Sequence, residues 1–222
     1  YLGVLSGGRL VIPSSDGSYL VTSRLDIPDN VEIVGEAGGG YELTGGQVII
    51  ESSATPYAIT GKNGIDDTAK SIGISLRNIM LLTNTGTTDQ TLLFMRACNN
   101  WRIDNCTFRT RGANSISVHM SAEKGAATYS GGFYNTFTNV KLSGSTASGQ
   151  IGLKMSGEIN NGQCNANRFF GLSIREVDHG LYLDGADGNI FSGISVESTG
   201  TDGISVGLNP PAGVGRAWAN MF

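Results

Sequence analysis

The repeat that organises this chain is clearest in residues 180–199, GLYLDGADGNIFSGISVEST. This stretch contains a six-residue motif: an apolar residue, any residue, Asn or Gly, an apolar residue, any residue and a last apolar residue. The copies are Leu76-Asn78-Ile79-Leu81, Ile103-Asn105-Cys106-Phe108, Phe137-Asn139-Val140-Leu142, Phe169-Gly171-Leu172-Ile174 and Phe191-Gly193-Ile194-Val196. Successive copies start 27, 34, 32 and 22 positions apart. A repeat of about 20 to 50 residues predicts a solenoid.

The repeat also indicates the class of secondary structure. Short alternating apolar segments are separated by Gly, Asn, Ser and Asp, and Gly accounts for 33 of 222 residues. No segment has the 3.6-residue periodicity of an amphipathic helix, so the chain is predicted to be all-β. A single rung cannot bury its apolar side, so stacked rungs must supply the core. We therefore expect Phe137, Phe169 and Phe191 to stack in one interior column.

Composition excludes several classes of protein. The net charge of −4 and the pI near 5.1 argue against a nucleic-acid partner, which would require clustered Lys and Arg. Three cysteines are too few for a disulfide framework, and Cys106, at an inward motif position, is expected to be a buried thiol. No apolar run reaches the roughly 18 residues that membrane insertion requires, and no signal peptide is visible.

The two ends of the sequence suggest a fragment. The chain begins at Tyr1 without Met, and residues 220–222, Asn-Met-Phe, repeat the pattern of Asn167-Arg168-Phe169. A natural solenoid terminus usually carries a polar cap. We therefore interpret the chain as lacking its natural ends.

The opening segment, residues 7–36, carries a more specific signal. It reads GGRLVIPSSDGSYLVTSRLDIPDNVEIVGE, with short alternating strands at Leu10-Ile12, Tyr19-Val21 and Val31-Ile33. This run resembles the first rungs of the pectate-lyase-like superfamily, especially its phage tailspike and tail-fibre branch. The resemblance implies a right-handed parallel β-helix. It also implies a homotrimer in a virion tail or another extracellular location.

The later rungs can be aligned on a second apolar pair that precedes each motif. The pairs are Tyr57-Ile59, Leu92-Phe94, Ile116-Val118, Ile151-Leu153, Leu181-Leu183 and Ile204-Val206. The alignment predicts two or three strands per turn, each about 4.8 Å from its equivalent. It also predicts an inward ladder of Val118, Leu153, Leu183 and Val206. We interpret residues 1–222 as one β-helix domain, with opening rungs over 7–50, regular rungs over 57–206 and an incomplete rung over 207–222.

The lengths of the corners indicate where a site could be. From each motif to the next pair the chain advances 7 to 11 positions, whereas from each pair to its motif it advances 8 to 19. Insertions confined to one edge of a solenoid usually build its functional face. We expect loops 121–134 and 156–166 to protrude side by side.

The residue after each apolar pair is expected to face outward beside these loops. This column is Thr60, Met95, His119, Lys154, Asp184 and Gly207. His119 and Lys154 are candidate substrate-binding residues, and Asp184 is the preferred catalytic residue. The alternative is that Lys154 and Asp184 form only a surface ion pair, worth about 0–1 kcal/mol.

Glycosidic hydrolysis generally needs two carboxyl groups, about 5 Å apart for retention or about 6.5–9.5 Å apart for inversion. Glu158 and Asp187 are the candidate partners of Asp184. Tyr129 and Tyr134 could stack on sugar rings or merely close their loop. No Asp-rich cluster predicts a metal site and no cofactor is expected, so calcium-dependent elimination is disfavoured, although Lys154 could act as a base.

Two other groups of charged residues are weaker candidates. Glu176, Asp178 and His179 crowd one corner, and Asp202 aligns with His179 on the next turn. A second outward column is predicted beside the motif and is more typical of solvated ion pairs; it contains Arg109, Ser143, Arg175 and Glu197.

The sequence thus supports three hypotheses. The first is recognition of a bacterial surface polysaccharide with depolymerisation by glycoside hydrolysis. The second is a non-catalytic tail-fibre, adhesin or stalk β-helix, and the third is a cellular pectin-type lyase or hydrolase. Fold alone does not decide among them, because unrelated functions share folds.

Overall fold

The computed structural model describes residues 7–36, 47–62, 70–122, 131–145, 147–157, 163–197, 199–206 and 220–222. These residues form 26 strands and contain no helix long and apolar enough to cross a membrane. In chain order the strands are β1 (Gly8–Ile12), β2 (Tyr19–Val21), β3 (Leu25–Ile27), β4 (Val31–Gly35), β5 (Val48–Ser52), β6 (Tyr57–Gly61), β7 (Ser71–Ile72), β8 (Ser75–Arg77), β9 (Ile79–Thr83), β10 (Thr91–Arg96), β11 (Cys98–Asn99), β12 (Arg102–Asp104), β13 (Thr107–Arg109), β14 (Ile116–Ala122), β15 (Gly132–Phe133), β16 (Thr136–Thr138), β17 (Lys141–Ser143), β18 (Ile151–Gly157), β19 (Cys164–Asn165), β20 (Arg168–Phe170), β21 (Ser173–Arg175), β22 (His179–Asp184), β23 (Ala186–Asp187), β24 (Ile190–Ser192), β25 (Ser195–Glu197) and β26 (Asp202–Val206).

Neighbouring strands pair in parallel and build four sheets. Sheet I is β3-β6-β10-β14-β18-β22-β26, and sheet II is β7-β11-β15-β19-β23. Sheet III is β1-β4-β8-β12-β16-β20-β24, and sheet IV is β2-β5-β9-β13-β17-β21-β25. A full turn passes through sheets I, II, III and IV, as β14 to β17 do. The fold is a right-handed parallel β-helix, as predicted.

The sequence motif forms the corner between sheets III and IV. Its first apolar residue lies in sheet III, and its last two lie in or next to sheet IV. The Asn or Gly between them has a left-handed backbone, with φ of 55° at Asn78, 51° at Asn139 and 66° at Gly171. Asn and Gly tolerate this conformation better than other residues. A single residue therefore turns the chain from one sheet to the next.

The predicted aromatic column is confirmed. Phe137, Phe169 and Phe191 are at most 2% exposed. Their rings stack with centroids 4.7 and 4.6 Å apart, and Phe222 continues the stack 5.1 Å beyond Phe191. Offset aromatic stacking at this spacing contributes to stability beyond the burial of area.

A row of asparagines, buried except for its last member, follows sheet II, and we call it the Asn ladder: Asn135, Asn167, Asn189 and Asn220. The Nδ2 of Asn135, Asn167 and Asn189 each donates to the Oδ1 of the asparagine on the next rung at 2.9 Å. Each Nδ2 also donates to a backbone carbonyl of the preceding turn, such as that of Cys98 for Asn135. The ladder satisfies polar groups that would otherwise be costly to bury.

The cysteines agree with expectation. Cys98, Cys106 and Cys164 are free and buried. Burial raises the pKa of the Cys106 thiol to about 12, so the thiol stays protonated. The prediction of a buried thiol at Cys106 is confirmed.

The predicted inward ladder of sheet I is wrong in register. Leu153 pairs with Leu181 rather than with Leu183. The ladders are Val118-Leu153-Leu181-Ile204 and Met120-Met155-Leu183-Val206. A slip of two residues keeps the same side chains inward, so the apolar pattern could not detect it.

Candidate functional site on the outer face of sheet I

The outer face of sheet I carries two columns of side chains. They alternate along each strand with core residues such as Met120 and Met155, so they point away from the core. Column one is Asp26, Thr60, Phe94, His119, Lys154, Tyr182 and Ser205. Column two is Arg96, Ser121, Ser156 and Asp184.

These columns correct the predicted one. Thr60, His119 and Lys154 share a column as expected, but Asp184 lies beside Ser156 in the second column. Met95 was predicted to face outward, but it is fully buried in the core. The prediction failed because residues 92–95 are all apolar, so the sequence does not show which of them face inward. Gly207 lies outside the described residues.

His119 is held in a neutral form. Its Nε2 lies 2.8 Å from the Ser156 hydroxyl oxygen, and its ring meets the edge of Phe94 at a centroid distance of 5.3 Å. Burial and the nearby Lys154 ammonium lower the pKa of His119 to about 3. Such an imidazole is a weak base, so the pair is poorly suited to activate Ser156 as a nucleophile. His119 can instead position a ligand by a hydrogen bond.

Asp184 is the most perturbed carboxyl group on this face. Its Oδ1 is buried and has no hydrogen-bond partner among the described residues. Burial raises the pKa of Asp184, and the Lys154 ammonium opposes that rise. A carboxyl group of this kind keeps its proton to higher pH than an ordinary aspartate and can serve as a general acid.

An aromatic pair adjoins these groups. Tyr57 stacks on Phe94 with ring centroids 4.1 Å apart, and Phe94 contacts His119. The sequence alignment placed Phe94 on the inward face, so this pair was not predicted as part of a site. The feature of the sequence that could have indicated the pair is that Tyr57 and Phe94 are aromatic residues on two successive rungs.

The proposed partners of Asp184 have different positions. Asp187 lies in β23 of sheet II, beyond a turn at Gly185, whereas Asp184 ends β22 of sheet I. Glu158 and Tyr129 lie outside the described residues. Tyr134 is 65% exposed and follows β15 of sheet II, so it is not on the outer face of sheet I.

The long loops also fall largely outside the described residues, which omit 123–130 and 158–162. Their flanks are neighbours: Ala122 pairs with Gly157 where the two loops begin, and Gly132 pairs with Cys164 where they end. Both insertions therefore join sheet I to sheet II on adjacent rungs. That they protrude side by side stays a prediction.

The second candidate cluster serves to join rungs. Asp178 accepts hydrogen bonds from the Gly149 amide at 2.7 Å and from the Thr201 hydroxyl at 2.6 Å, so it links the turns before and after its own. These bonds lower the pKa of Asp178. His179 lies beside Asp202, as the alignment predicted, with Nδ1 and Oδ2 3.3 Å apart. Glu176 has a left-handed backbone at a corner of the helix. No group of three His, Cys, Asp or Glu that could bind a metal ion occurs among the described residues.

The fold and this face define a right-handed parallel β-helix with acid and base groups along its longest strands. The family model for rhamnogalacturonase A/epimerase, pectate lyase-like, matches residues 10–205. The chain therefore belongs to this pectate-lyase-like family. The family assignment agrees with the wider superfamily that the opening rungs resemble.

Two solved structures are also similar, both of mannuronan C-5 epimerase A-modules from Azotobacter vinelandii. The AlgE6 module has 16% identity and a TM-score of 0.46, with 89% of this chain and 64% of that one covered. The AlgE4 module has 12% identity and a TM-score of 0.38, with coverages of 88% and 71%. The chain thus spans under two thirds of the AlgE6 module. A comparison with curated protein sequences found no significant match.

Proposed function

We propose that this chain binds a bacterial surface polysaccharide along the outer face of sheet I and hydrolyses its glycosidic bonds. The observation that carries the proposal is Asp184: an outward carboxyl on a regular strand, with a buried oxygen, a raised pKa and a cation nearby. Membership of a family whose model is described by a rhamnogalacturonase supports a glycan as the ligand.

The chemistry assigns each side chain a step. Protonated Asp184 donates its proton to the glycosidic oxygen as the bond to the anomeric carbon breaks. A second carboxylate, Glu158 or Asp187, activates water or attacks the anomeric carbon. Lys154 and neutral His119 bind sugar oxygens, and the half-buried ring of Tyr57, stacked on the buried Phe94, offers an apolar surface to a sugar ring.

The biological setting belongs to the same proposal. The resemblance of residues 7–36 to phage tailspikes supports a homotrimer that acts in a virion tail or outside the cell. Light scattering on the purified protein measures the trimer directly. A monomer at micromolar concentration would overturn this part while leaving the hydrolysis untouched.

The deciding experiment is Asp184→Asn in the full protein, assayed for new reducing ends on capsular and lipopolysaccharide glycans. We expect turnover to fall by about 10²–10⁴-fold, the usual contribution of a general acid. The matched control is Asp26→Asn, an exposed carboxylate of the same sheet that pairs with Arg24 at 2.6 Å.

The control should retain turnover, and both variants should keep the wild-type melting temperature. Unchanged turnover in Asp184→Asn, or a loss that tracks unfolding, would remove Asp184 from the mechanism. If no glycan is turned over by the wild-type protein while one is bound, the non-catalytic stalk or adhesin hypothesis replaces hydrolysis.

A second candidate reaction is β-elimination from a uronate polysaccharide. Lys154 and Tyr182 are neighbours in column one, so a cation lies beside a possible base. A base would remove the C5 proton, the C4–O bond would break, a C4–C5 double bond would form, and the leaving oxygen would take up a proton. Ultraviolet absorbance from unsaturated products, without hydrolysed ends, would favour this reaction over hydrolysis.

A further inference from the structure

The outer face of sheet IV carries a cluster of cationic side chains. It contains a groove of about 380 Å³. Four cationic side chains line the groove, Arg109, Arg111, Lys141 and Arg175, together with one acidic side chain, Glu176. The chain carries a net charge of −4, so this concentration of positive charge is local. Grooves of roughly 300–1,000 Å³ are typical of small-ligand sites.

Most of these cations are available to a ligand. Arg109, Lys141 and Arg175 are exposed and form no ion pair with any acid in the described ranges. Arg111 lies 3.9 Å from Glu51, a long contact. Glu197, which follows Arg175 in the same column, accepts a hydrogen bond from Ser195 instead of pairing with the arginine.

The cations are spaced along the helix axis. Arg109, Ser143 and Arg175 occupy one column on consecutive rungs, as the sequence predicted. The two arginines are therefore two rungs, or about 10 Å, apart. Lys141 lies on the rung between them, in the neighbouring column. A linear anion laid along the axis would meet a cation on each of three rungs.

The floor of the groove is apolar. It is formed by Ile49, Met80 and Leu82 on the preceding rungs. Sugar rings combine apolar C–H faces with polar edges, and an acidic sugar adds a carboxylate. An apolar floor bordered by cations is complementary to such a ligand. It is less suited to nucleic acid, whose binding depends on many phosphate contacts.

We propose that the outer face of sheet IV is a second glycan-binding site, which takes a carboxylate-bearing polysaccharide chain along the helix axis. The proposal rests on the proposed function only in the class of ligand. The site would hold the polymer while a different face acts on it. Guanidinium–carboxylate hydrogen bonds from Arg109 and Arg175 would supply the specificity for acidic sugars.

The test is calorimetric titration with tetragalacturonate in an Asp184→Asn background, with a reducing-end assay on each sample to check that the oligosaccharide stays intact. Replacing Arg109 and Arg175 together by Ser should weaken the sheet IV site about tenfold or more. The matched control replaces Arg102 and Arg168 by Ser. These exposed arginines are also two rungs apart in one column, but lie on sheet III.

We expect the control to bind like the background protein and maltotetraose, the neutral analogue, to bind at neither arginine pair. Raising the ionic strength from about 0.05 M to about 0.5 M should weaken the site, because exposed charges are screened. Equal affinity in the double variant and the control overturns the proposal, as does tighter binding of a short DNA duplex. Failure of Asp184 in turnover assays leaves these titrations unaffected, so the two proposals fail separately.

Discussion

Two outer faces of the same helix use ionisable side chains in opposite ways. On sheet III, Arg9, Glu32, Arg77 and Asp104 form a chain of ion pairs at 3.3, 3.5 and 3.5 Å. Their side chains are 31–59% exposed. On sheet I, His119 is largely shielded from water, and one oxygen of the half-buried Asp184, Oδ1, is buried without a hydrogen bond among the described residues.

The difference shows what separates a surface network from a candidate site. Exposed pairs satisfy one another and contribute little to stability. A carboxyl oxygen buried without a hydrogen-bond partner costs stability and is retained only where the surrounding structure fixes it. Perturbed groups of this kind concentrate at functional sites. The comparison can be tested by substitutions in the shared core and on each face.

The largest effect should come from the core that supports both faces. Phe169→Ala removes the central ring of the aromatic column, which stacks on Phe137 and Phe191. We expect a loss of about 3–5 kcal/mol in the free energy of unfolding, measured by urea denaturation. Phe170→Ala is the control: the neighbouring ring is 41% exposed, so its loss should cost far less. Similar costs for the two would mean that the column does not carry the core.

A smaller effect should appear on sheet I as the pH falls. The folded protein holds the pKa of His119 near 3, against an ordinary value of 6.5, so the unfolded chain binds more protons between these values. The stability associated with neutral His119 is therefore complete above pH 6.5 and is lost as the pH falls toward 3. The slope should be about 1 kcal/mol per pH unit.

His119→Gln removes this titration but can keep the hydrogen bond to Ser156, so its stability should fall less between pH 6.5 and 4. His179→Gln, the substitution of the other histidine, should retain the slope of the wild-type protein. Parallel urea titrations at several pH values make the measurement. A His119→Gln protein that keeps the full slope would contradict the burial of His119.

The smallest effects should come from replacing one cation on each face, Arg77 on sheet III and Lys154 on sheet I. Arg77→Met on sheet III should change stability by less than about 1 kcal/mol and leave turnover unaltered. Lys154→Met on sheet I should weaken glycan binding roughly tenfold. It should also extend activity to higher pH, because the ammonium no longer lowers the pKa of Asp184. Identical pH–rate profiles for the two variants would show that Lys154 does not act on Asp184.

The sequence predicted features that repeat with a clear phase. The motif located the III–IV corner and the Phe137, Phe169 and Phe191 column, because one left-handed residue and one aromatic ring recur at fixed offsets. The column of Arg109, Ser143, Arg175 and Glu197 was also predicted correctly, since it is counted from the same motif.

Features that do not follow a regular apolar alternation in the sequence could not be predicted. Sheet II was missed because its strands have two residues each, too few for an alternating pattern. The sequence placed Asp184 in column one, whereas the structure has it in column two beside Ser156. The error arose because Leu181 and Leu183 fit the core equally well in either register. The shielding of His119 depends on groups brought together from several rungs, which no local pattern encodes.

The Asn ladder gives the molecule a direction. Every amide in it donates the same way along the axis, from Asn135 toward Asn220, so the side-chain dipoles add rather than cancel. A hydrogen bond in such a chain polarises the next, so the inner amides are held more strongly than those at the ends. The two ends of the ladder therefore differ: Asn135 accepts at Oδ1 from the backbone amide of Trp101, whereas Asn220 is the last residue that accepts from the ladder. An additional rung can extend the array only if its own Asn has the same polarity.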